Sequence, residues 1–365
     1  KGVNVGVYDD GVESSHEDLD DNYDSSLHFF YDDPTNGFFD NTEHLATPET
    51  GNDAHGTACA GLIGAEDNGT GGVGVAHGAT LTGVNIFEFF SNMSNAATGS
   101  EQSAWNQIYL QSIAHAETFD IMSNSWGRTP LFGSYQAPNV SGQEWDIYET
   151  ISGTGRDGLG TIIVQAAGND TLNANGDAIN ASRFTITVAA TDQNGGVQSY
   201  SNYGVGILIS QSAGSVTTDL SGSDGYNSSS DYTQTFGGTS AATPIVSGII
   251  ALMLEANENL GWRDVHTILA YSAAMTGSVM GGSPTGFEQG AWLTSDHTAC
   301  LSWNGGRPTF NLSYGYGLVD AYAALRLAEA WGIMFDGPKP IANEVLASPT
   351  YFRHPVASPA YPCSR

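Results

Sequence analysis

Positive charge is the first thing this sequence is short of. Its 365 residues carry 10 Lys+Arg against 39 Asp+Glu, a formal net charge of −29. A surface that reads phosphates needs clustered cations, and the few here are scattered, which argues against a nucleic-acid binder. Cysteine is scarce too: Cys59, Cys300 and Cys363 cannot build a disulfide framework, and no CxxC pair suggests zinc or redox chemistry. Cysteine usage therefore leaves the compartment open. No stretch approaches the roughly 20 apolar residues of a bilayer-spanning helix; the best run, Ile245 to Leu254, contains Ser247 and Gly248. Also missing are a starting Met and a secretory apolar segment. The chain opens at Lys1 directly into a strand pattern, and so reads as a mature form or fragment from which an upstream segment has been removed. No repeat of solenoid period occurs.

What is present is the material of a large core. Hydrophobic residues make up 40% and charged residues 13%, which rules out disorder. The length allows one large domain or two ordinary ones. The 46 glycines point to tight turns and close backbone approaches. Apolar runs of strand length recur at Val3 to Tyr8, Thr80 to Ile86, Ile121 to Asn124, Thr161 to Ala166, Phe184 to Ala189 and Gly206 to Ser210. Helical patterns lie between several of them, at Glu101 to Phe119 and Gln143 to Ile151. Strands apolar on both faces and separated by helices imply a mostly parallel sheet covered on both sides, so the class is α/β. Three further helical patterns, Ser240 to Ala256, Trp262 to Ala274 and Val319 to Ala330, form a C-terminal helical layer. From Gly332 the chain turns Pro-rich (Pro338, Pro340, Pro349, Pro355, Pro359, Pro362). A boundary near Trp331 is expected, with 332–365 as linker or tail.

Three segments each hold one member of a nucleophilic catalytic set. In Val5-Gly6-Val7-Tyr8-Asp9-Asp10-Gly11 an apolar strand delivers a carboxylate to its C-terminal end; alone, Asp-Asp-Gly is an ordinary turn. In Asp53-Ala54-His55-Gly56-Thr57-Ala58-Cys59-Ala60-Gly61 a His precedes small residues that let a helix lie close to the sheet, with Cys59 most simply a small buried group. In Gly237-Gly238-Thr239-Ser240-Ala241-Ala242-Thr243-Pro244 a Ser sits at a helix N-terminus, where free N–H groups and the dipole stabilise an oxyanion. Pro244 is expected to cost little, as a first-turn residue whose amide is unpaired anyway. The segment is not a GxSxG elbow, since position 242 is Ala.

The order Asp9, His55, Ser240 is one in which an Asp–His–Ser triad occurs. With these motifs the sequence resembles the subtilisin-like serine proteases and, within them, the kexin and furin branch. The resemblance runs from about Val3 to Trp331. It is carried by Asp9-Asp10-Gly11, His55-Gly56-Thr57, Gly238-Thr239-Ser240-Ala241-Ala242, the run from Leu254 to Leu260 with Trp262-Arg263-Asp264, and Ser313-Tyr314-Gly315-Tyr316-Gly317 with Asp320-Ala321.

The resemblance implies a three-layer α/β/α catalytic domain over 1–331 and a serine endopeptidase. Ser240 attacks the scissile carbonyl, His55 moves the proton and Asp9 orients the imidazole. Asn169, in Ala166-Ala167-Gly168-Asn169, takes the oxyanion position with the Ser240 amide, and Ser125-Trp126-Gly127 pairs with the extended substrate. A preference for basic residues before the cleaved bond needs carboxylates, with Asp10 at S2 and Asp177 at S1. Two departures matter, the first removing a second S1 carboxylate and the second counting against a calcium site beneath S1. Arg128-Thr129-Pro130-Leu131 stands where the branch carries acids, and Ser201-Asn202-Tyr203-Gly204 stands where it carries a calcium-binding Glu. A second calcium site is implied at Asp18, Asn68, Thr70 and Gly72, with oxygen donors suited to Ca²⁺. Resemblance further implies an extracellular, secreted enzyme with an upstream prodomain and a β-sandwich P domain after the Pro-rich tail. Its acidity suits calcium binding or a saline environment. Pairing of Cys300 with Cys363 is left open. The alternatives are a broad-specificity degradative protease and, from another class, a catalytically silent calcium-dependent binding module. A metal-dependent hydrolase finds no HExxH or clustered His.

Overall fold

The computed structural model describes residues 2–32, 43–132, 140–278, 283–294 and 309–334. In chain order the elements are β1 (Asn4–Asp9), β2 (Phe30–Tyr31), β3 (Glu43–His44), α1 (His55–Gly64), β4 (Thr80–Asn85), α2 (Ile86–Asn95), α3 (Gly99–Ala114), β5 (Ile121–Asn124), α4 (Val140–Thr154), β6 (Ile162–Ala166), β7 (Thr185–Thr191) and β8 (Ile207–Ser212). They continue with β9 (Ser215–Thr218), β10 (Tyr232–Phe236), α5 (Thr239–Ala256), α6 (Trp262–Ser272), β11 (Leu293–Thr294), β12 (Thr309–Phe310) and α7 (Ala321–Met334).

Six strands form one sheet in the order β4-β1-β5-β6-β7-β8, and every pairing in it is parallel. Alternation of side chains sends Val5 and Val7 of β1, Ile162 and Val164 of β6, and Ile186 and Val188 of β7 into one core with α1, α5, α6 and α7. Tyr8, Met122 and Ile163 point to the other face, against Phe89, Trp105, Tyr109, Ile113 and Tyr148 of α2, α3 and α4. Both faces are covered, as the unbroken apolar strands require. The chain leaves β1 toward β4 and leaves β5 toward β6, so a crevice opens at the carboxyl ends of these neighbouring strands. Contrary to the expectation that no stretch approaches a membrane span, helix α5 is long and apolar enough by length and composition, but it is mostly buried in the core.

Two differences from the sequence reading have local causes. The run from Thr80 was expected as strand through Ile86, but it ends at Asn85, whose Oδ1 accepts the Glu88 amide (3.0 Å) and starts α2. The β9–β10 hairpin was not anticipated. It cradles α1: Thr217 and Thr218 hydroxyls donate to the Ala58 and Thr57 carbonyls at 2.7 Å each. A Cβ on Gly61 would stand 2.2 Å from the Thr218 hydroxyl, so the close approach needs that glycine. Helix α7 continues through Met334, three residues past the expected boundary; residues 335–365, and with them Cys363, lie outside the described residues, as does Cys300.

Candidate active site

β1 ends on two adjacent carboxylates that do different work. Asp10 faces the start of α1, where Oδ1 accepts the Gly56 amide (2.6 Å) and Oδ2 the His55 amide (3.1 Å). It therefore caps a helix that no residue of its own caps, and pins that helix to the end of β1. Burial, with the neighbouring charge of Asp9, pushes the Asp10 carboxyl up to about 7. The pinned helix sets His55 Nδ1 2.8 Å from Oδ1 of the fully buried Asp9. Burial alone would lower the His55 pKa, but the Asp9 charge and hydrogen bond outweigh it and hold the imidazole well above its ordinary value. Phe236 stands edge-on to the imidazole with ring centroids 5.2 Å apart.

Ser240 is the second residue of α5 and nearly buried. Cys59, one turn into α1, sits between the two helices, its Sγ 3.8 Å from His55 Nδ1 and 3.7 Å from the Ser240 carbonyl. Burial pushes its thiol up to about 11, which keeps it protonated. Asp9, His55 and Cys59 are the group among the described residues whose ligand atoms cluster as a metal would need, and all three belong to this catalytic cluster. The Ser240 hydroxyl donates to the Ser125 carbonyl (3.0 Å) rather than to His55, a resting rotamer of the kind that substrate-free hydrolases adopt.

The expectation for Pro244 is corrected. It is the sixth residue of α5, beyond the unpaired first turn, and its missing N–H deprives the Ser240 carbonyl of a helix partner. The Ser125 hydroxyl (3.1 Å) and the Cys59 thiol fill that vacancy, so the proline ties the serine's backbone to the substrate strand.

Asn169 lies in the loop after β6. Its Oδ1 accepts the Thr239 amide (2.9 Å) and hydroxyl (3.1 Å), which leaves Nδ2 as the end that can donate outward. Among the described residues no acceptor meets the Ser240 amide. This loop has an anchor that sequence reasoning missed. Asn202 Oδ1 accepts the Asp170 (3.0 Å) and Leu172 (2.8 Å) amides, and its Nδ2 donates to the Ala167 carbonyl (2.9 Å). A Cβ on Gly168, at φ 98°, would stand 2.4 Å from that Nδ2. The Ser201-Asn202-Tyr203-Gly204 segment thus holds an amide that ties the loop directly.

Ser125, Trp126 and Gly127 follow β5. Trp126 is buried against Phe90 and Arg128, and its carbonyl accepts the Gln165 side-chain amide. Asp177 is 5% exposed; its Oδ1 accepts the Ile179 amide (2.7 Å), and Asn180 Nδ2 donates to the Ala166 carbonyl (2.8 Å). Burial raises the Asp177 pKa, opposed by the Ile179 amide and by the charge of Arg128. The sheet edge therefore collects Asp9, Asp10, His55, Ser125, Trp126, Gly127, Asn169, Asp177 and Ser240.

Asp18, Asn68, Thr70 and Gly72 form a separate cluster. Asp18 is fully buried, its Oδ2 accepting the Gly72 amide (3.2 Å), and its Oδ1 is buried with no hydrogen-bond partner among the described residues. Asn68 Oδ1 accepts the Thr70 amide (2.8 Å) and Nδ2 donates to the Glu17 carbonyl (2.9 Å). An unpartnered buried carboxylate oxygen among oxygen donors fits a hard cation.

The His55–Asp9 pair and a serine at the N-terminus of α5, at the edge of a parallel sheet, are the arrangement found in the serine-hydrolase class. Residues 1–317 match the subtilase family model, and the chain belongs to that family. Over 342 residues it is 31% identical to furin-1 of Xenopus laevis, covering 91% of this chain and 38% of that protein. Protease KEX1 of Kluyveromyces lactis is 33% identical over 90% of this chain and 38% of its own length. The chain thus spans about two fifths of these relatives. Among solved structures, a serine protease of Aeromonas sobria aligns with a TM-score of 0.70 at 27% identity, covering 90% of this chain and 60% of that one. Fervidolysin of Fervidobacterium pennivorans shares the fold at a TM-score of 0.59 and 22% identity, over 89% and 42%.

Proposed function

We propose that this chain is a secreted, calcium-stabilised serine endopeptidase that favours basic residues at P1 and P2. The observation that carries the chemistry is the His55–Asp9 pair at 2.8 Å beside a serine at the N-terminus of α5. Substrate pairs as an added strand with the backbone at Ser125 and Gly127. Ser240 rotates from the Ser125 carbonyl and attacks the scissile carbonyl while His55 takes its proton. Asp9 stabilises the imidazolium, and the Asn169 amide and Ser240 N–H receive the developing oxyanion. His55 then returns the proton to the leaving amine, and water repeats the cycle on the acyl-enzyme.

Asp177 supports the P1 preference and Asp10 the P2 preference. Calcium at Asp18, Asn68, Thr70 and Gly72 would neutralise a buried carboxylate that the Gly72 amide satisfies on one oxygen only; its contribution is to stability. Kinship with furin and kexin supports a secretory route, an upstream prodomain and a downstream P domain. The Aeromonas enzyme has also been solved in complex with a chaperone, which supports a folding partner. Initial rates on fluorogenic peptides varying P1 and P2 test the reading, beside Ser240→Ala. Cleavage after Arg or Lys that the substitution abolishes is expected. Equal cleavage after Phe and Arg would refute the preference, and activity surviving Ser240→Ala would refute the mechanism.

A further inference from the structure

The residue after the substrate strand is a cation, and the fold goes to some length to hold it. The guanidinium of Arg128 grips Glu144 of α4 with two hydrogen bonds, Nη2–Oε1 at 2.6 Å and Nη1–Oε2 at 2.8 Å. The Glu144 side chain is fully buried, and its Oε1 also accepts the Tyr109 hydroxyl (2.5 Å). The guanidinium lies 5.7 Å from the centroid of the Trp126 ring and 6.0 Å from that of Phe90. Such a clamp fixes the cation's place, while its side chain keeps 31% exposure.

The same segment walls the loop that carries Asp177. The Phe132 amide donates to the Gly176 carbonyl (3.0 Å), and a Cβ at Gly176 would stand 2.6 Å from the Pro130 carbonyl oxygen. Arg128 and Glu144 are both close enough to act on Asp177, the first lowering its pKa and the second raising it. The hydroxyl of Tyr148, within reach of the same three charges, is buried and has no partner among the described residues. One cation against two acids leaves this corner of the cleft with a single negative charge.

We propose that Arg128 determines P1 selectivity, as a built-in cation that offsets the acids Asp177 and Glu144 and so tempers the attraction for a basic P1 side chain. This rests on the reading of Asp177 as the S1 acid. Removing the positive charge leaves Asp177 beside a second, buried and now unpaired acid, whereas removing the charge of Glu144 leaves no negative charge in excess. The pair is thus a two-way control on one property.

The test compares kcat/KM for matched peptides with Arg or citrulline at P1, a pair that differs in charge and hardly in shape. Arg128→Gln raises the Arg/citrulline ratio by about tenfold or more, Glu144→Gln lowers it by a similar factor, and the double substitution restores it to within about threefold. Where Arg128→Gln fails to fold because Glu144 is left buried and unpaired, Glu144→Gln carries the test. Ratios unchanged in variants that melt cooperatively and still cleave would overturn the proposal, leaving the pair purely structural. Asp177→Asn separates the two readings. A ratio that collapses there yet ignores Arg128 and Glu144 overturns this inference alone, and a ratio indifferent to Asp177→Asn overturns the S1 assignment together with it.

Discussion

Asp10 is held in a conflict that can be measured. Its two oxygens cap α1, yet it is mostly buried and lies beside the charge of Asp9, so its carboxyl titrates near 7 instead of its ordinary 3.8. A carboxyl whose pKa is raised on folding binds its proton more tightly in the native state. Stability is then fully present below about pH 4 and falls as pH rises through 7. At 1.36 kcal/mol per unit the ceiling is about 4 kcal/mol. Unfolding entropy near 2.1 cal/mol/K per residue gives a chain of this size about 0.8 kcal/mol/K, so the ceiling corresponds to about 5 °C in Tm.

Asp10→Asn imitates the protonated side chain at every pH. In a Ser240→Ala background, which prevents self-cleavage, thermal melts of the proteins with and without this substitution should coincide near pH 4. By pH 8 the substituted protein should melt higher, by at least about 2 °C. The difference should open progressively between about pH 4 and 7 and level off above 7. A substituted protein that melts lower at pH 8 would refute the reasoning, because the charge-assisted bonds to Gly56 and His55 would then exceed the cost of burying the charge. The substitution should also reduce the preference for Lys or Arg over norleucine at P2. A carboxylate that lowers stability is retained where substrate recognition needs it.

Three further outcomes are expected. Replacing Asp9 with Asn removes the charge that raises the His55 pKa, so the acid limb of the kcat/KM profile should move to lower pH while kcat falls by about 10⁴; an unmoved limb would show that Asp9 does not set that pKa. Asn169→Ala should lower kcat by about 10²–10³ with little change in KM, and a change in KM alone would remove Asn169 from the oxyanion site. Chelation should lower the Tm of the intact chain by about 3 °C if calcium is bound at roughly a hundred times its Kd, and Asp18→Asn should abolish that response. A chelator-insensitive Tm would exclude a stabilising cation at Asp18.

The parts of this molecule legible in its sequence are those whose causes are local. Strand and helix reveal themselves by apolar spacing, so the six central strands and the helices from 101, 143, 240, 262 and 319 could be read directly. The candidate catalytic residues stood out because each closes a strand or opens a helix among small residues, and only their joint order is specific. Illegible were the interactions between side chains and backbones far apart in the chain. Nothing near Asp10 says that its carboxylate will cap a helix beginning at His55. Nothing near Asn202 says that it will tie down the loop carrying Asn169.

Such distant contacts decide what a departure from a family pattern means. An Asn where relatives have a cation-binding Glu could signal a lost site and a loose loop. Here Asn202 accepts two amides of a single loop and donates to its Ala167 carbonyl and, at 3.4 Å, to the Asp170 carboxylate, so the loop is tied by direct hydrogen bonds. An Arg where relatives have acids could signal lost basic specificity. Here that Arg is paired with a buried Glu144, so on the proposed reading of Asp177 as the S1 acid the corner keeps a net negative charge. In both places the substituted residue is intelligible only with its partner. Specificity on this scaffold is therefore better reckoned from the charge summed over the pocket than from the number of acids in one motif.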